Sequence, residues 1–423
     1  MAIERRDFIK QAAGAAGMIT LIGASSCASR ENKQAAVTGP FSDLSSMVTD
    51  IKRITPEERL ARVHQAQELM QQKNFDALYM ESGSSLFYYT GIRWWPSERM
   101  MAAIVPKTGD IKYVCPAFEE ERLRELILFG DDVRVWEEDE SPYKVVAGIF
   151  KDIGATQTVG MEERVRFFLY DGIREAAPKI TYVSADPITA AMRMIKSEHE
   201  IALMQRANDI TIEAYKKTLS LMHEGMTQGE FRKNCSDAFA ALGVSGGASV
   251  QFGKYSALPH GSREPQKLKE GDIVMMDGGC KVDGYSSDIT RTTVLGKPTK
   301  RQTEIWNIEK VAQQKAFEAA QPGVPCENVD KAARDYLTSK GFGPGYKYLY
   351  HRTGHGIGLD GHEWTNFVLG NKTPMATGMC FSDEPGVYIK GEMGIRLEDC
   401  LYMSEEGARF FTKPSMAIDQ PFG

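Results

Sequence analysis

From Pro56 onward the apolar residues Leu60, Val63, Ala66, Leu69 and Met70 recur at intervals of three or four, which predicts an amphipathic helix with one buried stripe. Short apolar runs and amphipathic stretches alternate after it. Strands are predicted over 76–80, 100–105, 111–115 and 133–136, near Val159 and over 180–183, and helices over 118–129, 143–153 and 168–177. Lys107-Thr108-Gly109-Asp110 has the composition of a hairpin turn, so two strands run antiparallel while the others alternate with helices. Residues 56–188 therefore read as an α/β domain with a mixed sheet. Tyr88-Tyr89 and Trp94-Trp95 fall on its loops, where ordinary packing explains them better than a pocket wall or an oligomer contact. This domain shows no phosphate loop and no clustered histidines or carboxylates, so its expected part is structural or substrate-gating.

The pattern changes over residues 189–423. A helix over 197–222 carries Ile201, Met204, Ala207, Ile210 and Ala214 on one face, and Thr227-x-x-Glu230 has the capping-box spacing that opens another. Two further helices, over 303–320 and 328–339, are split by Gln321-Pro322-Gly323. Strand-like runs lie between and after them. No repeat of fixed period is visible, which excludes solenoids and propellers.

Ahead of both domains, residues 27–55 are polar and unpatterned, as in a linker. Residues 1–26 read differently. Glu4-Arg5-Arg6-Asp7-Phe8-Ile9-Lys10 precedes an uncharged, Ala- and Gly-rich run of 16 residues, too short and too weakly apolar to span a bilayer. A basic start, an apolar middle and small residues after it form an export signal, and the arginine pair resembles the twin-arginine type that carries folded proteins to the periplasm or cell envelope. Cys27, after Ala24-Ser25-Ser26, is similar to a lipoprotein cleavage site, so membrane anchoring through lipidation is a secondary expectation.

Composition adds mainly exclusions. A chain of 423 residues with 42% hydrophobic and 26% charged positions has the make-up of a two-domain globular protein. A formal net charge of −6 supplies no basic field for a phosphate backbone, so no nucleic-acid partner is expected. Seven cysteines without a CxxC pair exclude a zinc ribbon and a disulfide scaffold.

The candidate chemistry lies on two ribbons. Gly271 to Asp277 is an apolar strand ending on a carboxylate, and Asp283-Gly284 supplies a two-residue turn before the chain returns through Tyr285 to Thr293. With that turn Asp277 faces Thr290, and Asp288 lies one diagonal step away on the same side. Two carboxylates then share one space and repel unless cations separate them; the alternative is that one caps a turn and the other meets Arg291. Phe381 to Tyr388 and Gly394 to Asp399 form a second ribbon around Lys390-Gly391-Glu392, and a symmetric loop sets Glu384 opposite Glu398. Between the ribbons lies His351-Arg352-Thr353-Gly354-His355-Gly356-Ile357-Gly358. Its glycines disfavour a helix, so a loop or strand presents one imidazole at a time. Gly356-x-Gly358-x-x-Gly361 formally matches a dinucleotide fingerprint but lacks its strand-to-helix context. One His, two Asp and two Glu make a hard, oxygen-rich set suited to two divalent ions, with manganese favoured over cobalt, zinc or iron, able to hold a bridging hydroxide for amide hydrolysis.

Asp277, Ser287-Asp288-Ile289-Thr290-Arg291, the His351 to Gly358 run, Glu384-Pro385-Gly386 and Arg396-Leu397-Glu398-Asp399 together resemble the pita-bread metallopeptidases: methionine aminopeptidase, Xaa-Pro aminopeptidase and prolidase. The resemblance covers about residues 190–415, and the preceding domain resembles the creatinase-type N-terminal domain. It implies an α+β pita-bread catalytic domain behind the α/β one. It implies Asp277, Asp288, His355, Glu384 and Glu398 as metal ligands, with Asp288 and Glu398 bridging. It places His260 at the scissile amide nitrogen or leaving group, His362 at the developing oxyanion, His351 beside the leaving-residue pocket and Arg396 near a product carboxylate, with Glu384 as proton shuttle. Asp383 before Glu384 and Gly361 before His362 depart from the commoner family residues and leave the pocket's shape open. The expected function is release of the N-terminal residue from short Xaa-Pro peptides or cleavage of Xaa-Pro dipeptides, by a homodimer. The alternatives are a small non-peptide substrate on the same metal scaffold and a non-catalytic binding protein.

Overall fold

The computed structural model describes residues 39–423; the expected export signal and Cys27 lie outside the described residues. The N-terminal sheet has six strands: β1 (Ala77–Glu81), β2 (Ala102–Pro106), β3 (Lys112–Pro116), β4 (Asp132–Trp136), β5 (Thr158–Met161) and β6 (Thr181–Ser184), in the order β4-β3-β2-β1-β5-β6. The hairpin at Gly109 makes β2 and β3 antiparallel, β1 and β2 are antiparallel too, and the outer pairs are parallel. Side chains alternate across the sheet. Leu78 and Met80 of β1 pack with Val63, Ala66 and Met70 of helix α1 (Pro56–Lys73), whereas Ala77 and Tyr79 pack with Val146, Ile149, Leu169 and Ile173 from two helices on the other face. A sheet covered on both sides explains why its strands read as unbroken apolar runs.

Three details differ from the sequence pattern. Leu60 is 37% exposed, and Arg59 and Arg62 occupy the inner face of α1 instead. They spend their guanidinium groups on the carbonyl oxygens at the end of α2 (Ser84–Thr90), Arg62 reaching that of Tyr88 at 3.0 Å. Helix α2 itself has no counterpart in the sequence reading: Tyr88 and Tyr89 lie buried on it, not on a loop. Helix α3 (Glu120–Leu126) is shorter than predicted, because Ala117–Glu119 form a 3-10 turn and Ile127 is extended. The remaining helices of this half are α4 (Pro142–Asp152), α5 (Phe167–Ala176) and α6 (Thr189–Met194).

The described part of the expected linker, residues 39–55, is ordered along the C-terminal half. Phe41 and Ile54 are buried in the core, Met47 N–H donates to the carbonyl of Leu242 at 2.9 Å, and Arg206 pairs with Asp50 at 2.9 Å.

The C-terminal half packs α7 (Glu198–Ser220), α8 (Gln228–Ala241), α9 (Lys300–Ala319) and α10 (Glu327–Ser339) against curved sheets. One sheet joins β7 (Gly246–Phe252), β8 (Ile273–Val282) and β10 (Ile289–Val294), with the short β9 (Tyr285–Ser286) on β8. Another runs β12-β11-β13-β16-β17, from β11 (Gly354–Gly356), β12 (Glu363–Phe367), β13 (Cys380–Asp383), β16 (Asp399–Ser404) and β17 (Gly407–Phe410). Strands β14 (Gly386–Ile389) and β15 (Met393–Arg396) pair separately. Helices α1, α7, α8 and α9 open on capping boxes at Thr55, Ser197, Thr227 and Thr299, each accepting from the backbone N–H three residues on. Ser197→Ala is expected to lower stability by about 0.5–2 kcal/mol in urea unfolding, since one donor at the start of a long core helix loses its partner.

All six cysteines among the described residues are buried and free, at 115, 235, 280, 326, 380 and 400. No helix among the described residues is long and apolar enough to cross a membrane.

Candidate metal centre

Both ribbons form in the register their loops dictate. Asp283 and Gly284 take positive φ (47° and 96°), the turn that suits a twisted hairpin, and Asp277 pairs with Thr290. The chain leaves the ladder between β9 and β10, at Ser287 and Asp288. In the second ribbon Gly386 pairs with Arg396 and Asp383 with Asp399, so Glu384 and Glu398 sit opposite each other where the ribbon passes from one sheet to the next. A single bridge between Thr290 and Glu398 joins the ribbons, with Glu398 N–H donating to the Thr290 carbonyl at 3.2 Å. His355 enters from β11, against β13. A Cβ at Gly354 would lie 2.1 Å from the Ser382 carbonyl oxygen and one at Gly356 2.5 Å from that of Trp364, so glycine on both sides of His355 permits this close approach.

The result is one cavity of about 320 Å³ lined by Pro259, His260, Asp277, Asp288, His351, Arg352, His355, His362, Glu384, Arg396 and Glu398. Each of the expected ligands, with His260, His351, His362 and Arg396, lines it. Donor atoms of His355, Glu384 and Glu398 lie within 4.8 Å of one another, as do those of Asp277, Asp288 and Glu398. The two triads share Glu398, and Asp288 stands with His355 and His362 in a third such group.

Charge explains why this arrangement calls for cations. Burial, then the charge of Asp277, pushes Asp288 up to about 7, and burial with the charges of Asp288 and Glu384 drives Glu398 well above the carboxylate range. Burial acts to raise Glu384 too, but the His355 hydrogen bond and the charges of His355, His351 and Arg396 outweigh it and hold it down at about 2. A set of four buried or half-buried carboxylates whose members repel one another is stabilised by divalent ions, and one imidazole among hard oxygens fits such ions.

The remaining groups surround this set. Arg396 is buried; its Nη2 pairs with Asp277 at 2.7 Å, its Nε donates to Thr290 Oγ1 at 2.9 Å and its Nη1 to the Tyr388 hydroxyl at 3.0 Å and the Pro259 carbonyl at 3.3 Å. The guanidinium thus orients the ribbons and one candidate ligand. His351 Nδ1 faces its neighbour's carbonyl at 2.7 Å and its Nε2 the Tyr388 hydroxyl at 2.8 Å, and burial lowers its pKa. His362 stacks on His355, its pKa pushed down to about 4 by burial, His355 and Arg352. His260 is exposed at the rim.

Sequence reasoning missed four supporting groups. Thr290 donates its hydroxyl to Glu398 at 2.6 Å, a role its place opposite Asp277 signals. Ser382 donates to Glu384 at 3.1 Å and accepts from the His355 N–H at 3.0 Å. Tyr388 links His351 to Arg396, and Asp330 on α10 accepts from the Thr353 hydroxyl at 2.6 Å, fixing the loop before His355. Asp383, one of the departures noted above, is fully buried with neither oxygen partnered, as is Glu309 of α9, and both are held far toward the neutral acid by burial.

Residues 62–195 match the profile of the creatinase/prolidase N-terminal domain, and residues 202–405 that of metallopeptidase family M24. The chain is 32% identical over 353 residues to the Xaa-Pro dipeptidase of Lactobacillus helveticus, covering 82% of this chain and 95% of that one. Among solved structures, prolidase from Thermococcus sibiricus superposes with a TM-score of 0.79 at 28% identity, covering 86% of this chain and 98% of its own. The dipeptidase PepE of Mycobacterium ulcerans gives 0.80 at 30% identity, covering 86% and 97%.

Proposed function

The chain belongs to metallopeptidase family M24, as a metallopeptidase hydrolase with a creatinase/prolidase N-terminal domain, and from that premise we propose that it cleaves the Xaa-Pro bond of dipeptides and short peptides with two divalent ions. The observation that carries this reading is the convergence of Asp277, Asp288, His355, Glu384 and Glu398 in one cavity as two triads sharing Glu398. Relatives named Xaa-Pro dipeptidase or prolidase, and a cavity of about 320 Å³ at the small end of ligand sites, favour dipeptides over longer peptides. Asp277, Asp288, His355, Glu384 and Glu398 would hold the two ions, with Asp288 and Glu398 shared and manganese the favoured metal, and the ions would polarise the scissile carbonyl and lower the pKa of the attacking water.

The chain's own groups divide the remaining work. Glu384, ionised at neutral pH, is placed to take a proton and return it to the leaving amine. His362, neutral at pH 7, donates a hydrogen bond where negative charge develops on the carbonyl oxygen. His260 at the rim reaches the leaving side, His351 borders the proline pocket, and Arg396 holds Asp277 and offers its charge toward a product carboxylate.

The test is release of the first residue from Xaa-Pro and from Xaa-Pro-Yaa after loading with manganese. Turnover on the dipeptide exceeding that on the tripeptide is expected; no turnover on either sinks the proposal. His362→Ala is expected to keep full metal content, measured by elemental analysis, while kcat falls about 10²–10³-fold. Export through the twin-arginine route rests on Arg5-Arg6 and the run after it; retention of the protein in the cytoplasm when both arginines become lysine would support it.

A further inference from the structure

His355 and His362 stack in one cavity with ring centroids 3.8 Å apart, yet opposite things are required of them. A ligand offers a lone pair, and a group that stabilises a developing oxyanion offers a proton. The difference lies in what each Nδ1 meets.

At His355, Nδ1 lies 3.1 Å from the Gly356 carbonyl oxygen. A carbonyl only accepts, so Nδ1 carries a proton, and Nε2, 3.1 Å from Glu384 and 3.9 Å from Asp288, is the nitrogen aimed at the ligand set: it donates to Glu384 in the metal-free protein and would offer its lone pair once an ion displaced that proton. At His362, Nδ1 lies 2.9 Å from Nη2 of Arg352. A guanidinium has no acceptor and stays charged, so here Nδ1 must accept, and the proton of the neutral ring sits on Nε2. A ring nitrogen of His362 also lies within 4.8 Å of donor atoms of both Asp288 and His355, close enough for it to compete as a nitrogen ligand in the other tautomer.

We infer that Arg352 is a positioning residue that holds His362 in the Nε2–H tautomer, opposite to that of a ligating His355, and so keeps it a hydrogen-bond donor to the substrate carbonyl instead of a further metal ligand. This rests on the role given to His362 above. The guanidinium makes no other side-chain hydrogen bond among the described residues, which leaves the imidazole as its one partner there.

The tautomer is read directly by long-range 15N–1H correlation on full-length protein labelled at histidine, both metal-free and zinc-loaded, with His362→Gln identifying the signal. Wild type is expected to show Nε2–H at His362, Arg352→Lys to retain it, and Arg352→Met to shift it toward Nδ1–H. In kinetics on an Xaa-Pro dipeptide, Arg352→Met is expected to lower kcat about 10–100-fold with KM little changed, and Arg352→Lys to recover most of the loss. Nδ1–H in wild type, or an unchanged tautomer in Arg352→Met, overturns the inference. So does a raised KM at constant kcat, which would make Arg352 a substrate contact. If wild type turns over no Xaa-Pro substrate, the proposed activity fails while the spectra still decide the tautomer.

Discussion

Asp288→Ala is expected to abolish metal binding and turnover together. Asp288 is half-buried among the other carboxylates, and its donor oxygen stands in groups with Asp277 and Glu398 on one side and His355 on the other. Its loss leaves Glu398 as the one carboxylate that stands near both Asp277 and His355. The fall in kcat/KM should exceed the roughly 10–100-fold cost of losing a supporting hydrogen bond behind a ligand. Removing the Asp288 charge while keeping its shape has the opposite sign on the metal-free protein. A carboxyl whose folded-state pKa is raised costs stability wherever it is ionised, and that cost is fully present above the raised pKa. At pH 8 and in chelator, Asp288→Asn should therefore unfold at higher urea than wild type, by on the order of 1 kcal/mol or more. Added manganese should stabilise wild type and leave the variant unchanged. Isothermal titration and urea unfolding read both arms, and retained turnover in Asp288→Ala would contradict a bridging role.

The ribbons that carry this chemistry were legible because strand pairing is arithmetic. Once Asp283-Gly284 is taken as a two-residue turn, each residue of β8 has a determined partner, and the observed pairing of Asp277 with Thr290 follows that count through the break at Asp288. The symmetric loop about Gly391 works the same way for Glu384 and Glu398. What could not be read is contact between segments without a common ladder. The Thr290 hydroxyl on Glu398 spans 108 positions, and Arg352 meets His362 across a loop whose course no periodicity describes. Helix α2 was missed because seven uncharged residues, SSLFYYT, carry no amphipathic stripe; burial on nearly every side holds it helical. Residues 39–55 read as a linker for a related reason, since a strap held by scattered anchors such as Phe41 and Ile54 has no period.

The N-terminal half supplies none of the donor groups, but the same long-range blindness hid its share in the active site. Arg193, 5% exposed at the end of α6, places Nη2 2.6 Å from both Asp360 and Glu363, the residues that flank His362 at positions two before and one after. Its Nη1 reaches back to Ser85 at 3.2 Å and Glu163 at 3.4 Å in the N-terminal half, while Ser84 donates to Asp360 at 2.7 Å and Arg164 pairs with it at 3.0 Å. The loop that carries His362 is thereby pinned to the other half of the protein by buried charges. Arg193→Met leaves two carboxylates short of a partner. Breaking a buried pair costs about 3–5 kcal/mol, and because Lys196, Arg164 and Ser84 remain, the loss here should lie near the lower end of that range. Since the five candidate ligands come from other segments of the chain, metal content should be unchanged. Well below the variant's unfolding midpoint, kcat should still fall by about tenfold or more as the His362 loop loses its fixed position. Arg193→Lys keeps the charge but cannot span Asp360, Glu363 and Ser85 at once, so it should recover part of the stability and less of the rate. A variant with wild-type unfolding and wild-type kcat would reduce the network to a surface ornament, whereas lost metal would mean that the two halves are coupled through the ligands themselves.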